Sequence, residues 1–143
     1  MTVKQISVFV ENKPGRLAEM AALLGQQDID MRALSIAEAE DFGIVRIIVD
    51  DAYNTAQVLK EAGYVFSITP VLAAAIPDEP GGLSRILDLL GENGINLEYT
   101  YAFITRHKDA AYMICRVEDN EGAVKALTAA GVTLATQDEV AQL

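Results

Sequence analysis

The chain has 143 residues, a formal net charge of −10 at pH 7 and a hydrophobic fraction of 51%. The charge argues against nucleic acid as a partner, because binding a polyanion relies on clustered Lys and Arg. A single cysteine forms no internal disulfide, and the sequence shows neither a signal peptide nor an apolar run of about 20 residues. We therefore expect a soluble, cytoplasmic protein.

The first half of the chain alternates strand and helix signals. After an apolar run, the pair Pro14-Gly15 introduces apolar residues at helical spacing: Leu17, Met20, Ala21 and Leu24. Farther along, Val45, Ile47 and Val49 alternate as in a strand with one face under helices. The patterns predict strands at 6–10, 31–37, 44–50 and 64–69, with helices that begin near Leu17 and span 52–62.

The second half repeats this order. Pro80-Gly81 lies 66 positions after Pro14-Gly15, and past the middle hairpin Leu127 lies 68 positions after Leu59. The change places a two-residue insertion at 106–109, in a predicted loop, where insertions are tolerated. This half predicts strands at 71–76, 96–105, 111–118 and 132–136, with helices that begin near Leu83 and span 120–130. The repeat divides the chain into domains at 1–69 and 70–143.

The order strand, helix, two strands, helix, strand predicts an α+β fold. Because each β-α-β crossover is right-handed, each half forms a ferredoxin-like βαββαβ domain: a four-stranded antiparallel sheet with two helices on one face. The opposite sheet face is also apolar, with Phe9, Ile44, Ile48, Ala73, Ala75, Tyr112 and Ile114. We expect this face to pack against a partner, either within the chain or in a homodimer.

Catalytic and metal sites are not indicated. His107 is the single histidine and lies between Arg106 and Lys108, so we expect a solvated loop residue rather than a metal ligand. With one histidine the serines have no evident triad partner, and neither Pro-Gly junction has the glycine pattern of a nucleotide site. We predict no enzymatic activity, no metal and no cofactor.

Other reactive or paired side chains have structural interpretations. Asp50-Asp51 and Glu118-Asp119 precede helices, so we expect helix caps. Cys115 lies on the core face of a strand and is predicted to be a packed thiol. One strand carries an aromatic stripe of Tyr99, Tyr101 and Phe103. We interpret the stripe as interface or core, with a ligand wall near Tyr99 as the alternative.

The two Pro-Gly junctions are the strongest candidate for a site. Proline suits the first turn of a helix, and glycine allows a tight bend and the close approach of another molecule. A strand-to-helix junction of this kind exposes backbone N–H groups that have no intrahelical partner. Such groups bind carboxylates and phosphates, so an amino acid's carboxylate fits here. Its ammonium then needs acceptors such as Asp30, Asp78 or Asn96.

The chain resembles the ACT domain. The resemblance is carried by Asn12-Lys13-Pro14-Gly15-Arg16-Leu17, by Asp78-Glu79-Pro80-Gly81-Gly82-Leu83, and by Gly94-Ile95-Asn96-Leu97 at the second strand. It covers nearly the whole chain as two copies. In the first copy Asp30 stands where the second has Asn96, which departs from the family pattern. The resemblance implies a regulatory module that binds a small molecule, usually an amino acid, between paired domains.

In that family the site is built from the first strand-helix loop and the start of the second strand. Carried over to this chain, the resemblance implies ligand-binding residues at Asn12, Pro14, Gly15, Arg16, Leu17, Asp30, Met31, Asp78, Pro80, Gly81, Gly82, Leu83, Asn96 and Leu97. We hypothesise that the junction at 78–83 is the better site, because it has the extra Gly82 and is matched with Asn96.

We therefore expect a tandem ACT protein, a homo-oligomer that binds a free amino acid and passes the signal to a partner such as an amino-acid metabolic enzyme. The alternative is a regulatory subunit that docks to a biosynthetic enzyme without a functional ligand pocket of its own. A small phosphatase on the same fold is a third possibility. Asn12 and Arg16 supply its residue types, but the surrounding loop does not match a phosphate-binding loop.

Overall fold

The computed structural model describes residues 1–106 and 110–143. The predicted solvated loop residue His107 and most of the predicted insertion at 106–109 lie outside the described residues. No helix formed by the described residues is both long and apolar enough to cross a membrane.

The observed elements follow the predicted order closely. They are β1 (Val3–Glu11), α1 (Arg16–Gln26), β2 (Met31–Ala39), β3 (Phe42–Val49), α2 (Ala52–Glu61), β4 (Val65–Pro77), α3 (Gly82–Glu92), β5 (Leu97–Phe103), β6 (Ala110–Val117), α4 (Asn120–Ala129) and a final 3-10 helix (Gln137–Gln142). The predicted strands at 64–69 and 71–76 are one continuous strand, β4, because Pro70 does not break the extended backbone. The chain divides into two compact units, residues 4–69 and residues 70–143 with 1–3.

The 4–69 unit builds its core between helices and one face of an antiparallel sheet. Its strands pair in the order β1-β3-β2, with Val8 opposite Val45 and Ile36 opposite Val45 on the other side. Alternation along β3 places Val45, Ile47 and Val49 in the core, as predicted. Met20 and Leu24 of α1 and Leu59 of α2 pack against that face.

The 70–143 unit repeats this arrangement with the order β4-β6-β5, and Leu72 lies opposite Cys115. Ile86 and Leu90 of α3 and Leu127 of α4 cover the core face. The prediction of a fourth strand at 132–136 is wrong, because only an isolated bridge forms between Ala74 and Leu134. The chain then turns into the 3-10 helix, whose capping box joins Thr136 and Glu139.

The fold is therefore the predicted α+β fold, but two separate four-stranded sheets do not form as predicted, because 132–136 contributes one bridge and 65–69 is continuous with the next predicted strand. On the second sheet face, Ile48, Ala73 and Ile114 are fully buried, whereas Phe9 is 42% exposed and contacts the Phe42 ring at 6.1 Å between centroids. The apolar face predicted to need a partner is thus covered at some positions and open at others.

A residue in a left-handed conformation follows each of two helices, Asp28 after α1 and Gly94 after α3. Gly94 has φ of 67° and Asp28 has φ of 57°, and in each case the next amide closes the helix: Ile95 N–H donates to Leu90 O and Ile29 N–H to Leu24 O. This is a Schellman motif, which requires a left-handed residue. The glycine of Gly94-Ile95-Asn96-Leu97 therefore has a structural role at the helix end.

The helices α2 and α4 begin with aspartate caps, as predicted. The Asn54 N–H donates to Asp51 Oδ1 at 3.0 Å, and the Gly122 N–H donates to Asp119 Oδ1 at 2.9 Å. Asp50 has a different role, because its Oδ1 accepts from the Asp30 N–H at 3.0 Å and so fixes the start of β2. The capping interpretation is confirmed for Asp51 and Asp119 only.

Removing either cap should destabilise the protein. We expect Asp51→Ala and Asp119→Ala each to lower the free energy of unfolding by about 1 kcal/mol, because an amide donor at the helix start loses its acceptor. Urea denaturation measures the difference. Asp88→Ala in α3 is the control, since Asp88 is exposed inside a helix and caps nothing. Equal effects of all three substitutions would contradict the capping assignment.

Candidate functional site

The first Pro-Gly junction is a turn held by backbone hydrogen bonds. Gly15 has φ of 82° and occupies the N-cap position of α1, and the Arg16 N–H donates to Lys13 O at 3.3 Å. A side chain at Gly15 would meet no atom within 4 Å, so the glycine serves the backbone conformation and faces open space. Asn12 steadies the turn, because its Nδ2 donates to Glu40 O at 3.2 Å.

The second junction has the same backbone. Gly81 has φ of 88°, and the Gly82 N–H donates to Glu79 O at 3.1 Å. Gly82 itself is buried, and a Cβ there would overlap the carbonyl oxygen of Pro77. The extra glycine at this junction is therefore explained by a contact within the chain. Glycine is needed at 82 because the chain's own backbone approaches it.

Both junctions leave helix N-terminal amides without a capping side chain. Of the four α-helices in residues 1–106 and 110–143, α2 and α4 have aspartate caps, whereas α1 and α3 have none. The amides at the second and third positions of α1 belong to Leu17 and Ala18, and those of α3 to Leu83 and Ser84. These donors have no intrahelical acceptor by helix geometry, and they carry the positive end of the helix dipole.

The starts of β2 and β5 differ in their polar groups. The carboxylate of Asp30 lies 3.3 Å from Arg32 Nη1, so it is already engaged. In the second unit Asn96 is exposed, and its backbone carbonyl accepts from the Glu118 N–H at 3.3 Å. Asn96 is thus anchored by its main chain while its amide side chain reaches solvent.

Several predicted site residues serve the core instead. The side chains of Leu17 and Met31 are partly buried against the core of the 4–69 unit, and Leu97 is packed in the same way in the 70–143 unit. Pro14, Asp78 and Pro80 are exposed. Of the predicted residues with polar side chains, Asn12, Asp78 and Asn96 are thus exposed and accessible to a ligand.

Two clefts in the 4–69 unit adjoin the first junction. One of about 460 Å³ is lined by Asn12, Ile36, Glu38 and Gly43. The other, of about 490 Å³, includes Arg16, whose Nη1 lies 3.3 Å from Glu19 Oε1. Sequence reasoning missed Ile36 and Glu38 because they lie on β2, beyond the segment that the motif covers. The 52% exposure of Ile36 marks it as an available apolar contact.

Charges near the first junction are paired. Glu11 accepts from Lys13 at 3.0 Å, and that hydrogen bond, followed by the charges of Lys13 and Arg16, holds the pKa of the Glu11 carboxyl below its ordinary value.

The residues at 1–106 and 110–143 form no group of three or more His, Cys, Asp or Glu that suits a metal ion. Within the aromatic stripe, Tyr101 and Phe103 are buried, whereas Tyr99 is partly exposed.

Each unit has a strand, a Pro-Gly turn and a helix whose first amides lack a capping side chain. This repeat defines a class of small paired α+β domains. The whole chain, residues 1–143, matches the family model described as an ACT domain pair. The chain therefore belongs to the ACT domain pair family, which confirms the resemblance inferred from the sequence.

Solved structures agree with this assignment. Protein BT0572 from Bacteroides thetaiotaomicron is 34% identical with a TM-score of 0.92, and the match covers 100% of this chain and 98% of that one. The regulatory subunit of aspartate kinase from Thermus thermophilus has the same fold at 18% identity, with a TM-score of 0.64 over 89% of this chain and 91% of its own. The corresponding subunit from Thermus flavus is 16% identical, with a TM-score of 0.61 over 90% and 92%. The comparison with curated proteins gave no significant match.

Gly82 and Gly91 should respond in opposite directions to the same substitution. Gly82→Ala should lower the free energy of unfolding by about 1–3 kcal/mol, because the added methyl forces the Pro77 carbonyl to move. Gly91→Ala, at an open position in the same helix, should raise it by about 0.5–1 kcal/mol. Urea denaturation compares the two variants. If Gly82→Ala left the free energy of unfolding unchanged, the close approach of the Pro77 carbonyl would not be the reason for glycine at this position.

Cys115 should be unreactive in the folded protein. It is fully buried, and burial raises the pKa of its thiol above the ordinary 9.0, while the hydrogen bond with Thr100 acts in the opposite direction. At any given pH the thiolate fraction of Cys115 is therefore smaller in the folded protein than in the unfolded chain. We expect iodoacetamide labelling at pH 8.5 to be at least about tenfold slower in buffer than in urea. Equal rates would refute the packed-thiol assignment.

Proposed function

We propose that this protein is a non-catalytic regulatory module that binds a free amino acid at its Pro-Gly junctions. The module consists of two ACT-like domains at 1–69 and 70–143, each a ferredoxin-like unit in which 65–69 and 132–136 take the place of the fourth strand. The ligand carboxylate accepts hydrogen bonds from the helix N-terminal amides, and a paired ACT-like domain completes the site, as the family resemblance implies.

The observation that carries this proposal is the contrast among helix starts. An aspartate caps α2 and α4, yet a left-handed glycine without a capping side chain precedes α1 and α3. A glycine cap costs only a few tenths of a kcal/mol relative to aspartate, so α1 and α3 stay stable while their first amides have no side-chain acceptor. A bound carboxylate would supply the missing acceptor and favour the folded, liganded state.

The junction at 78–83 remains the stronger candidate because of Asn96 rather than because of Gly82. Asn96 offers an exposed amide to the ammonium or the side chain of a ligand, whereas its counterpart Asp30 is already paired with Arg32. Asp78, which is exposed beside the turn, supplies a carboxylate for the ammonium. At the first junction Asn12, Ile36 and Glu38 form the comparable cleft.

A regulatory role is supported by the relatives. The Thermus thermophilus and Thermus flavus proteins are regulatory subunits of aspartate kinase. By analogy, we propose a cytoplasmic homo-oligomer that reports the concentration of an amino acid to an amino-acid metabolic enzyme. A second candidate function is docking to such an enzyme without a working ligand site. The open apolar face around Phe9 and Phe42 favours that possibility.

Thermal unfolding in the presence of each of the twenty amino acids tests the proposal. A ligand at about 100 times its Kd raises the free energy of unfolding by about 2.7 kcal/mol, because it binds only the folded chain. We expect one or a few amino acids to raise the Tm, with Kd between about 1 μM and 1 mM. No shift with any amino acid would favour the docking alternative.

The site is tested with substitutions that carry equal backbone strain. Gly81→Leu and Gly15→Leu place a side chain in the junctions, while Gly63→Leu adds the same side chain at φ of 82° outside both turns and is the control for Gly81→Leu, which lies in the other unit. Each variant should lose about 1–2 kcal/mol of stability, because a left-handed conformation disfavours a Cβ. Only the junction variants should weaken binding of the amino acid, and Gly81→Leu should weaken it more than Gly15→Leu. Equal loss of affinity in Gly15→Leu and Gly81→Leu would contradict the preference for the second junction. An equal loss in Gly63→Leu would contradict the assignment of the binding site to the junctions.

A further inference from the structure

A separate cleft of about 360 Å³ lies inside the 70–143 unit, beside α3. Most of the residues that line it are apolar, with Ile76, Ile86 and Val132 among them, and none of them belongs to the predicted ligand-binding set. Its volume falls within the range of pockets that hold small molecules. The cleft is therefore a candidate site in its own right.

Arg85 is the single charged side chain among the described residues that line this cleft. Its Nη2 donates to the carbonyl oxygen of Ala130 at 3.3 Å. That carbonyl is held in place, because the next two amides close the end of α4: Gly131 N–H donates to Thr128 O at 3.1 Å and Val132 N–H to Leu127 O at 2.9 Å. The bond uses one of the five N–H donors of the guanidinium, which is thereby positioned at the rim of the cleft.

The equivalent cleft in the 4–69 unit has the opposite charge. The 66-residue repeat aligns Glu19 with Arg85 and Glu11 with Pro77, and both glutamates line that cleft. Arg16, the one cation among its described lining residues, already contacts Glu19 at 3.3 Å. The repeat has thus kept the cleft in both units but placed a carboxylate where the second unit has a guanidinium.

We propose that the cleft beside α3 binds a small monocarboxylate with a branched or linear apolar tail. The carboxylate pairs with Arg85, for which a guanidinium is the preferred partner, and the tail lies against Ile76 and Val132. A neutral amide of the same shape lacks the charge that Arg85 recognises. In a chain of net charge −10, the described lining residues of this cleft include no acidic side chain that would repel the carboxylate.

The experiment titrates the full chain, labelled with 15N, with 4-methylpentanoate and with 4-methylpentanamide. We expect the acid to shift the amide signals of Gly131, Val132 and Thr133 with a Kd of about 1 mM, and the amide to have little effect. Arg85→Gln should weaken binding of the acid at least about tenfold, because the charge-assisted hydrogen bond is lost. Lys125→Gln removes an equal charge from an exposed position of α4 outside this cleft and should leave the Kd unchanged.

Each outcome decides the proposal. Shifts confined to the cleft, dependent on the carboxylate and on Arg85, support it. Equal binding of acid and amide, equal effects of the two substitutions, shifts located elsewhere, or no shifts at 20 times the expected Kd would each overturn it. The same titration on Gly81→Leu separates this cleft from the amino-acid site, because the variant changes the junction and keeps the Arg85 side chain, so binding of the acid should persist. A chain that binds amino acids and no carboxylate at this cleft would refute the inference alone.

Discussion

The left-handed backbone at Gly15 and Gly81 is the constraint on which the rest of the structure depends. With φ of 82° and 88°, the chain turns from a strand into a helix within a few residues. Another residue in this conformation costs about 1–2 kcal/mol, so glycine is favoured. Because glycine has no side chain, the helix that follows starts without a cap. One backbone requirement therefore produces both the sharp turn and the exposed amides.

Most of the fold is predictable from the sequence because the repeat doubles every signal. The strand face of Val45, Ile47 and Val49 and the helical spacing from Leu17 predict where the core lies, and the positions of Asp51 and Asp119 before helices predict their capping role. A strand at 132–136 is overpredicted, since its apolar residues suit a strand but its backbone pairs at one bridge only. Local pattern does not report how far a neighbouring strand extends.

The candidate site is less predictable, because a motif names residues without saying which atoms face outward. The sequence suggests Gly82 as part of the better site, yet the glycine makes room for the Pro77 carbonyl, a contact that no spacing in the sequence reveals. It also suggests Asp30 as an acceptor, yet Arg32 occupies that carboxylate. Gly94 belongs to the family motif and serves to end α3. In each case a contact with residues nearby in the chain gives the residue a structural role that the motif alone does not indicate.

Duplication has kept the backbone of the two units and changed their side chains. Arg16 aligns with Gly82, Asp30 with Asn96, and Glu19 with Arg85, whereas the left-handed glycines and the bare helix starts are the same in both. What the two junctions share is therefore a set of backbone amides, which recognise a carboxylate and little else. Under the proposed function, discrimination between one amino acid and another has to come from side chains, and those are the groups that differ. On that proposal the two units should differ in the amino acids that they bind, because the shared backbone amides suit any carboxylate and the side chains select among ligands.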